Sequence, residues 1–203
     1  MIAIVDYGVG NLFSLQSSFA KVGAETVLTA DKRTIENADK ILLPGVGAFA
    51  DAAKKLKESG LAELLVQEAK KGKYIMGVCL GMQMLFEKSF EYGEYDGLGL
   101  LKGKVVPIKE FVNESLKIPH IGWNSLQLRK EHPLMQYCKD GDFVYFVHSY
   151  FATDCADSVL AVTDYGKELT AAVAKDNVMG CQFHPEKSGD VGLNILRAFF
   201  EMK

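Results

Sequence analysis

The sequence has no long apolar run, and its first residues do not predict an export leader. No apolar stretch approaches the ~20 residues that a membrane-spanning helix needs, so we expect no transmembrane segment. Residues 2–5 already have a strand-like pattern, and no basic or long apolar region precedes them. From these two absences we expect a cytoplasmic protein.

The charge pattern and the glycine loops limit the classes of partner. The net charge is −3 and forms no basic stripe, which argues against a nucleic acid or an anionic membrane surface as a partner. The glycine loop at residues 6–11 is followed by Phe13, where a dinucleotide-binding pattern requires glycine, and no G-K-[ST] is present. Small molecules and other proteins therefore remain as expected partners.

Cysteines are few and widely separated. There are four in 203 residues, and none forms a C-x-x-C pair. A chain of this length can bury a core without covalent links, so the spacing predicts four free thiols and no zinc site. The cysteines are Cys79, Cys138, Cys155 and Cys181.

Repeats and linkers are also absent, which predicts one domain over residues 1–203.

The elements that are present alternate between short apolar strands and helices, which favours parallel strands in an α/β sheet. Ligands bind beyond the carboxyl ends of such strands. In the first half of the chain we predict strands at residues 2–5, 25–29, 40–43 and 74–78, and helices from residue 12 and at 48–59, 61–71 and 81–87. In the second half we predict strands at residues 104–107, within 118–128, and at 143–147, 158–163, 170–175 and 178–183, with a helix at 192–202.

Cys79 lies where the predicted strand 74–78 turns into a helix. Gly77 and Gly81 bracket it, the pattern of a nucleophile elbow, whose strained turn leaves no room for flanking side chains. A helix start and a nearby histidine would lower the pKa of such a thiol, and the Leu80 N–H would face the oxyanion formed when the thiolate attacks a carbonyl. Taken alone, the same residues fit a buried structural cysteine equally well.

A cysteine nucleophile needs a base, and His184 is the histidine best placed to supply one. Pro185 disfavours the helical conformation at His184 and keeps the chain extended. Residues i and i+2 of an extended chain face the same side, so Glu186 can bind one imidazole nitrogen while the other faces Cys79. Alternation places Cys181 on the opposite face. The predicted roles are nucleophile, base and orienting carboxylate, and the alternative is a turn with a surface carboxylate.

A second glycine loop, residues 44–47, follows the predicted strand 40–43. Gly45 and Gly47 would let backbone N–H groups approach a ligand closely. Val46 or Gly47 is therefore a candidate second oxyanion donor beside Leu80. An ordinary strand-to-helix turn is the alternative interpretation of this loop.

These motifs together resemble a known family. Gly-Val-Cys-Leu-Gly-Met-Gln at 77–83, Pro-Gly-Val-Gly at 44–47 and His-Pro-Glu at 184–186 resemble the class I, triad-type, glutamine amidotransferases. Asp-Tyr-Gly-Val-Gly-Asn at 6–11 and Pro-His-Ile-Gly-Trp-Asn at 119–124 are similar to the glutaminase subunits (HisH) of imidazole glycerol phosphate synthase. The resemblance implies a single-domain class I glutaminase fold, with a central, mostly parallel mixed sheet flanked by helices.

The resemblance also implies an activity and a partner. Glutamine would be hydrolysed to glutamate and ammonia through a thioester on Cys79, without a cofactor or a metal. The ammonia would pass to a HisF-type (β/α)8 cyclase, which makes imidazole glycerol phosphate and AICAR in histidine biosynthesis. By the same resemblance, glutamine would be bound by Gln83 and by the backbone around Gly47, His148, Ser149 and Tyr150.

The family places a further set of positions at or near the cyclase interface. Without the resemblance, two of its aromatic residues would be interpreted as core packing and its lysine as a solvated charge. The positions are Asn11, Trp123, Asn124, Tyr145 and Lys187.

Three alternatives remain open at the level of sequence. A related cysteine hydrolase group, similar to DJ-1 and PfpI, usually has histidine directly after the nucleophile, where this chain has Leu80. A regulatory subunit without activity would have to retain all three catalytic residue types by chance. A paralogous glutaminase could supply ammonia to a different acceptor enzyme, such as one that amidates surface sugars.

Overall fold

The computed structural model describes all 203 residues. The strands are β1 Ile2–Val5, β2 Thr26–Thr29, β3 Lys40–Leu43, β4 Tyr74–Val78, β5 Phe86–Ser89, β6 Tyr95–Asp96, β7 Leu101–Pro107, β8 His120–Ser125, β9 Gln127–Leu128, β10 Phe143–His148, β11 Tyr150–Thr153, β12 Val159–Asp164, β13 Glu168–Lys175 and β14 Val178–Cys181. The α-helices are α1 Leu12–Lys21, α2 Lys32–Asn37, α3 Phe49–Glu58, α4 Leu61–Lys70, α5 Leu80–Met84 and α6 Gly189–Glu201.

Eight strands form a mixed central sheet in the order β2-β1-β3-β4-β14-β13-β12-β9. The first five are parallel neighbours, and the last three continue the sheet through antiparallel pairs. The parallel strands other than the edge strand β2 are buried on both faces, as β1 illustrates: Ile2 and Ile4 pack into one hydrophobic cluster, and Ala3 and Val5 into the other. The predicted α/β fold with a mostly parallel, mixed sheet is confirmed.

Helices cover both faces of this sheet. One cluster of 26 buried residues includes Phe49 and Leu65 from α3 and α4. The other, with 25 buried residues, includes Phe19 and Phe199 from α1 and α6, whose ring centroids lie 6.4 Å apart. Burying a side chain of this size stabilises the fold by ~1.5–3 kcal/mol, so packing onto the sheet holds these short helices in place. None of the helices has the length and apolar character needed to cross a bilayer.

Most elements of the central sheet lie where the sequence predicts them. The predicted strands 2–5, 40–43 and 74–78 coincide with β1, β3 and β4, and the predicted strand 25–29 is β2, which begins one residue later. The closing helix begins three residues earlier than predicted, at Gly189, and ends at Glu201. The four cysteines are free thiols, as predicted.

One predicted helix is wrong at its end, and one helix was not predicted. The helix predicted at residues 81–87 ends at Met84, because Phe86 begins β5 and pairs with Leu101 of β7. A short apolar run fits a strand or a helix equally well, and here pairing with β7 decides. Helix α2 was not predicted, although Asp31 caps it by accepting a hydrogen bond from Thr34 N at 2.9 Å.

Two smaller sheets complete the fold. One has the order β11-β7-β5-β6, and the other is the antiparallel pair β10-β8. In the pair, His148 lies opposite His120, and Trp123 lies opposite Tyr145. The N–H of His184 donates to Tyr145 O at 2.9 Å, which ties this pair to the end of β14. β10 ends at His148 and β11 begins at Tyr150, so the chain passes from one small sheet to the other at Ser149. The sequence analysis did not predict β11.

Candidate active site

Cys79 occupies the sharp turn between β4 and α5. Its φ of 54° and ψ of −113° lie where residues other than glycine are rare. Packing explains the neighbouring glycines. A Cβ on Gly81 would lie 1.9 Å from Leu43 O, and a Cβ on Gly77 would lie 2.5 Å from Gly81 O. The structure therefore has the strained strand-to-helix turn that the sequence predicts.

His184 and Glu186 form a buried pair beside this turn. His184 Nδ1 lies 2.9 Å from Glu186 Oε1, and since a carboxylate oxygen accepts, Nδ1 carries the proton. The other ring nitrogen, Nε2, is buried and has no hydrogen-bond partner. Burial by itself would lower the pKa of His184, but interactions with Cys79 and Glu186 outweigh it and raise that pKa to about 10. The charged imidazolium form of His184 is thus favoured.

Glu186 reaches the imidazole through a turn and not along a strand. His184 itself is extended, with φ −96° and ψ 99°, but Pro185–Lys187 form one turn of 3₁₀ helix. Ser188 Oγ donates to His184 O at 2.6 Å and closes that turn. The predicted contact between His184 and Glu186 is present, whereas the i, i+2 alternation used to predict it does not extend past His184.

Cys79 and His184 line a cavity of about 320 Å³. A larger groove, of about 730 Å³, lies at the surface around Leu128 and Cys138. Burial and nearby Asp142 raise the pKa of the Cys138 thiol to about 12, which keeps it protonated, so we assign the chemistry to the smaller cavity. Every residue predicted for oxyanion stabilisation or glutamine binding lines that smaller cavity: Val46, Gly47, Leu80, Gln83, His148, Ser149 and Tyr150.

Comparison with known proteins agrees with this geometry. The family described as Glutamine amidotransferase class-I matches residues 3–202. The chain belongs to this family. It is 53% identical over 201 residues, 98% of both chains, to the imidazole glycerol phosphate synthase subunit HisH of Lactococcus lactis subsp. lactis strain IL1403. It is 50% identical over 203 residues, 100% of this chain and 98% of the relative, to the protein of the same name from Caldanaerobacter subterraneus subsp. tengcongensis.

A solved structure shares the fold of this amidotransferase. The structure of PurLQS from Thermotoga maritima aligns with a TM-score of 0.75 at 24% identity, over 98% of this chain and 96% of that one. This similarity confirms the predicted class I fold, and at 24% identity it shows the fold alone.

The cavity of the amidotransferase also contains Glu91 and Tyr92, which the sequence analysis missed. Glu91 Oε2 accepts a hydrogen bond from Phe49 N at 2.7 Å, and burial raises the pKa of its carboxyl group. Tyr92 is 87% exposed, and its ring lies edge-on to Tyr150 with centroids 6.1 Å apart. Both residues lie in the loop after β5. The helix predicted at residues 81–87 covered the first half of that strand, and no sequence pattern pointed to the loop.

A buried chain of hydrogen bonds fixes the state of His148. His148 Nδ1 lies 2.9 Å from Tyr150 O, which can only accept, so Nδ1 is the protonated nitrogen. His148 Nε2 must then accept from His120 Nδ1 at 2.9 Å, and His120 Nε2 accepts from Asn124 Nδ2 at 3.3 Å. Burial lowers the pKa of His148 to about 3 and that of His120 to about 4, so both rings are neutral. The His148 side chain therefore has no ring nitrogen free for a ligand.

The residues predicted for a partner interface divide into two groups. Trp123 is 55% exposed and meets Tyr145 edge-on at 6.3 Å, and Lys187 Nζ lies 5.6 Å from the centre of the Tyr145 ring. Asn11 precedes α1 and is partly exposed.

In contrast, Asn124 Nδ2 donates to Asp164 O at 2.8 Å, so its amide holds the fold together. The same exposed face also includes residues that the sequence analysis did not select: Ile121 and Phe143.

Proposed function

We propose that this chain is the glutaminase subunit of imidazole glycerol phosphate synthase, which releases ammonia from glutamine for histidine biosynthesis. The observation that carries the proposal is 53% identity over 98% of both chains with a relative named for that role. The cytoplasmic location expected from the sequence remains part of the proposal.

In the proposed mechanism, Cys79 is the nucleophile and His184 the base. The thiolate attacks the carboxamide carbon of glutamine, and a C–S bond forms as the carbonyl oxygen becomes an oxyanion. The C–N bond then breaks, and His184 gives its Nε2 proton to the departing nitrogen, which leaves as ammonia. Water next attacks the thioester, His184 takes a proton from it, and breaking of the C–S bond releases glutamate. Glu186 orients the imidazole and stabilises its charged form throughout.

The oxyanion needs donors on the rim of the cavity. We assign the Leu80 N–H at the start of α5 as one donor, and the N–H of Val46 or Gly47 as the second. Gly47 has a φ of 92°, which glycine adopts without strain. Losing one such donor typically lowers the rate ~10²- to 10³-fold.

Glutamine recognition follows from which polar atoms of the cavity remain free. Gln83 Nε2 donates to Tyr150 O at 3.1 Å and to Gln182 Oε1 at 2.9 Å, which uses both of its hydrogens. Only Gln83 Oε1 is left, and it can accept a hydrogen bond from a substrate N–H. Glu91 keeps Oε1 free at the edge of the same cavity, where a carboxylate would pair with an α-ammonium group.

The partner we propose is a HisF-type (β/α)8 cyclase. Ammonia is useful only if it reaches the acceptor, so the two proteins should form a complex. Trp123, Tyr145 and Lys187 give this chain an exposed aromatic and cationic face, with Asn11 as a further contact. Aromatic residues are enriched where protein surfaces bury each other. A paralogue that serves a different acceptor is the remaining alternative.

Reconstitution tests this function. The chain mixed with a HisF-type cyclase and the phosphoribulosyl formimino substrate should form imidazole glycerol phosphate from glutamine, and the two proteins should co-elute in size-exclusion chromatography. Trp123→Ala should weaken the complex ~10-fold or more, the typical effect of removing an aromatic hot spot. The matched control is Phe200→Ala, 38% exposed at the opposite end of the sheet, which should bind normally. Absence of a complex with the cyclase would contradict the proposal and favour the paralogue.

A substitution at Glu186 tests the orienting carboxylate. Glu186→Gln should keep the fold and lower glutamine-dependent kcat by ~10²- to 10⁴-fold, less than loss of Cys79 or His184, because the nucleophile and base remain. Steady-state kinetics with glutamine measures the effect. Glu114→Gln, at an exposed position, is the control and should be neutral. Full activity in Glu186→Gln would remove Glu186 from the catalytic group.

A further inference from the structure

Gln182 is a fully buried polar residue that the mechanism above does not use. It follows β14 directly, and its backbone N–H donates to Ala171 O at 2.8 Å. Its side-chain Nε2 lies 3.8 Å from Cys79 Sγ, within the range of an N–H···S hydrogen bond. The neighbouring strand end holds the turn in place as well, since Cys79 N donates to Cys181 O at 2.8 Å. The carboxamide of Gln182 therefore lies against the Cys79 sulfur inside the protein core.

The orientation of this carboxamide follows from its neighbours. Tyr150 O is a backbone carbonyl and can only accept, so the Gln83 atom beside it must be the nitrogen. The second hydrogen of that nitrogen points to Gln182, which must present its oxygen, 2.9 Å away. The nitrogen of Gln182 is then the atom that faces Cys79. If the Gln182 amide were flipped, two NH₂ groups would face each other, so this chain of contacts permits one orientation.

We propose that Gln182 is a further catalytic residue, which donates a hydrogen bond to the Cys79 thiolate and so raises the fraction of Cys79 that is ready to react. A group that can only donate toward the sulfur favours the charged thiolate over the thiol, because the thiolate is the stronger acceptor. Gln83 acts as a positioning residue for it, in addition to the free oxygen that it offers to glutamine. This inference rests on the proposed function, because it concerns the same nucleophile.

The pH dependence of Cys79 alkylation by iodoacetamide tests this role without glutamine or a partner. Gln182→Met has similar length and no donor, so the pKa seen in the alkylation profile should rise by about one unit. At pH values below the wild-type midpoint of that profile, the alkylation rate and kcat for glutamine should both fall ~10-fold, while KM should change less. Cys79→Ala gives the background from the other three thiols. Asn177→Leu is the matched control: it removes a carboxamide near the opposite end of β14, and the alkylation profile should stay unchanged.

A second variant keeps the proposal testable if Gln182→Met does not fold. Gln83→Met leaves Gln182 in place but removes the hydrogen bond that orients it, so the alkylation pKa should rise here too, by a smaller amount. Circular dichroism and the thermal unfolding midpoint show whether each variant is folded. Folded variants with wild-type alkylation profiles would overturn the role of Gln182. Failure of the wild-type chain to hydrolyse glutamine in the complex would instead overturn the proposed function, and the alkylation result would stand apart from it.

Discussion

Cys79→Ala is expected to abolish glutamine-dependent synthesis while the complex still forms product from added ammonium salt. The residue lies in the strained turn, lines the cavity and raises the pKa of His184, so no other thiol can replace it. Removing a nucleophile of this kind typically lowers kcat by ~10⁶-fold. In the proposed complex the acceptor reacts on the partner, so activity with ammonia should remain near that of the wild type.

The measurement is product formation with glutamine and with ammonium salt, for the wild type and the variant. Cys138→Ala is the matched control, because its thiol lines the separate surface groove and is held protonated by burial. Both activities of this control should be normal. Glutamine-dependent turnover that survives in Cys79→Ala would refute the assignment of the nucleophile, and loss of ammonia-dependent synthesis would indicate that the complex itself is damaged.

The second large effect we expect is activation by the partner. The isolated chain should be a poor glutaminase, and cyclase plus acceptor ligand should raise its turnover by ~10²- to 10³-fold, the effect of completing an oxyanion hole. The structure supplies a contact between the two glycine loops. Tyr7 OH donates to Pro44 O at 2.8 Å, and a Cβ on Gly10 would lie 3.1 Å from Pro44. A shift at residues 6–11 can therefore reach the N–H groups of Val46 and Gly47.

Glutaminase turnover should be compared for the lone chain, for the complex and for the complex with acceptor ligand. Tyr7→Phe removes the hydroxyl that joins the loops but keeps the ring, so it should reduce the stimulation more than it changes the unstimulated rate. Phe200→Ala, at the far end of the sheet, should leave the stimulation intact. Equal rates in all three states would show that this site is not gated, whatever the role of Cys79.

Much of the site could be predicted from sequence because its chemistry depends on short local patterns. The turn leaves no room for a Cβ at Gly77 or Gly81. The elbow can therefore be predicted from five consecutive residues. His184 was found because Pro185 restricts its backbone. The contact between His184 and Glu186 was anticipated for a partly wrong reason, because a 3₁₀ turn and not an extended chain brings them together.

Other parts of the site had no local signature. Glu91 lies in a loop after β5, whose first half was predicted as helix, and its place in the cavity depends on pairing between β5 and β7. Gln182 lies beside a well-marked motif, but nothing in its neighbours shows that its nitrogen faces the sulfur of Cys79. That orientation is set by Gln83 and by the carbonyl of Tyr150, which come from distant parts of the chain.

The sequence by itself determined the α/β alternation and the family, and it led to the proposed nucleophile and base and to the edge of the sheet where the loops converge. Each of these depends on residue order over a few positions, through side-chain periodicity, backbone restriction by proline and the small size of glycine. Only the tertiary structure decided which polar atoms are free and which are already bonded. His148 has both ring nitrogens occupied, Asn124 is tied to Asp164, and Gln83 retains one acceptor. The physical reason is that buried polar atoms form hydrogen bonds with whichever groups the fold brings close to them, often from distant parts of the chain. Only the donors and acceptors that these hydrogen bonds do not use can bind a ligand.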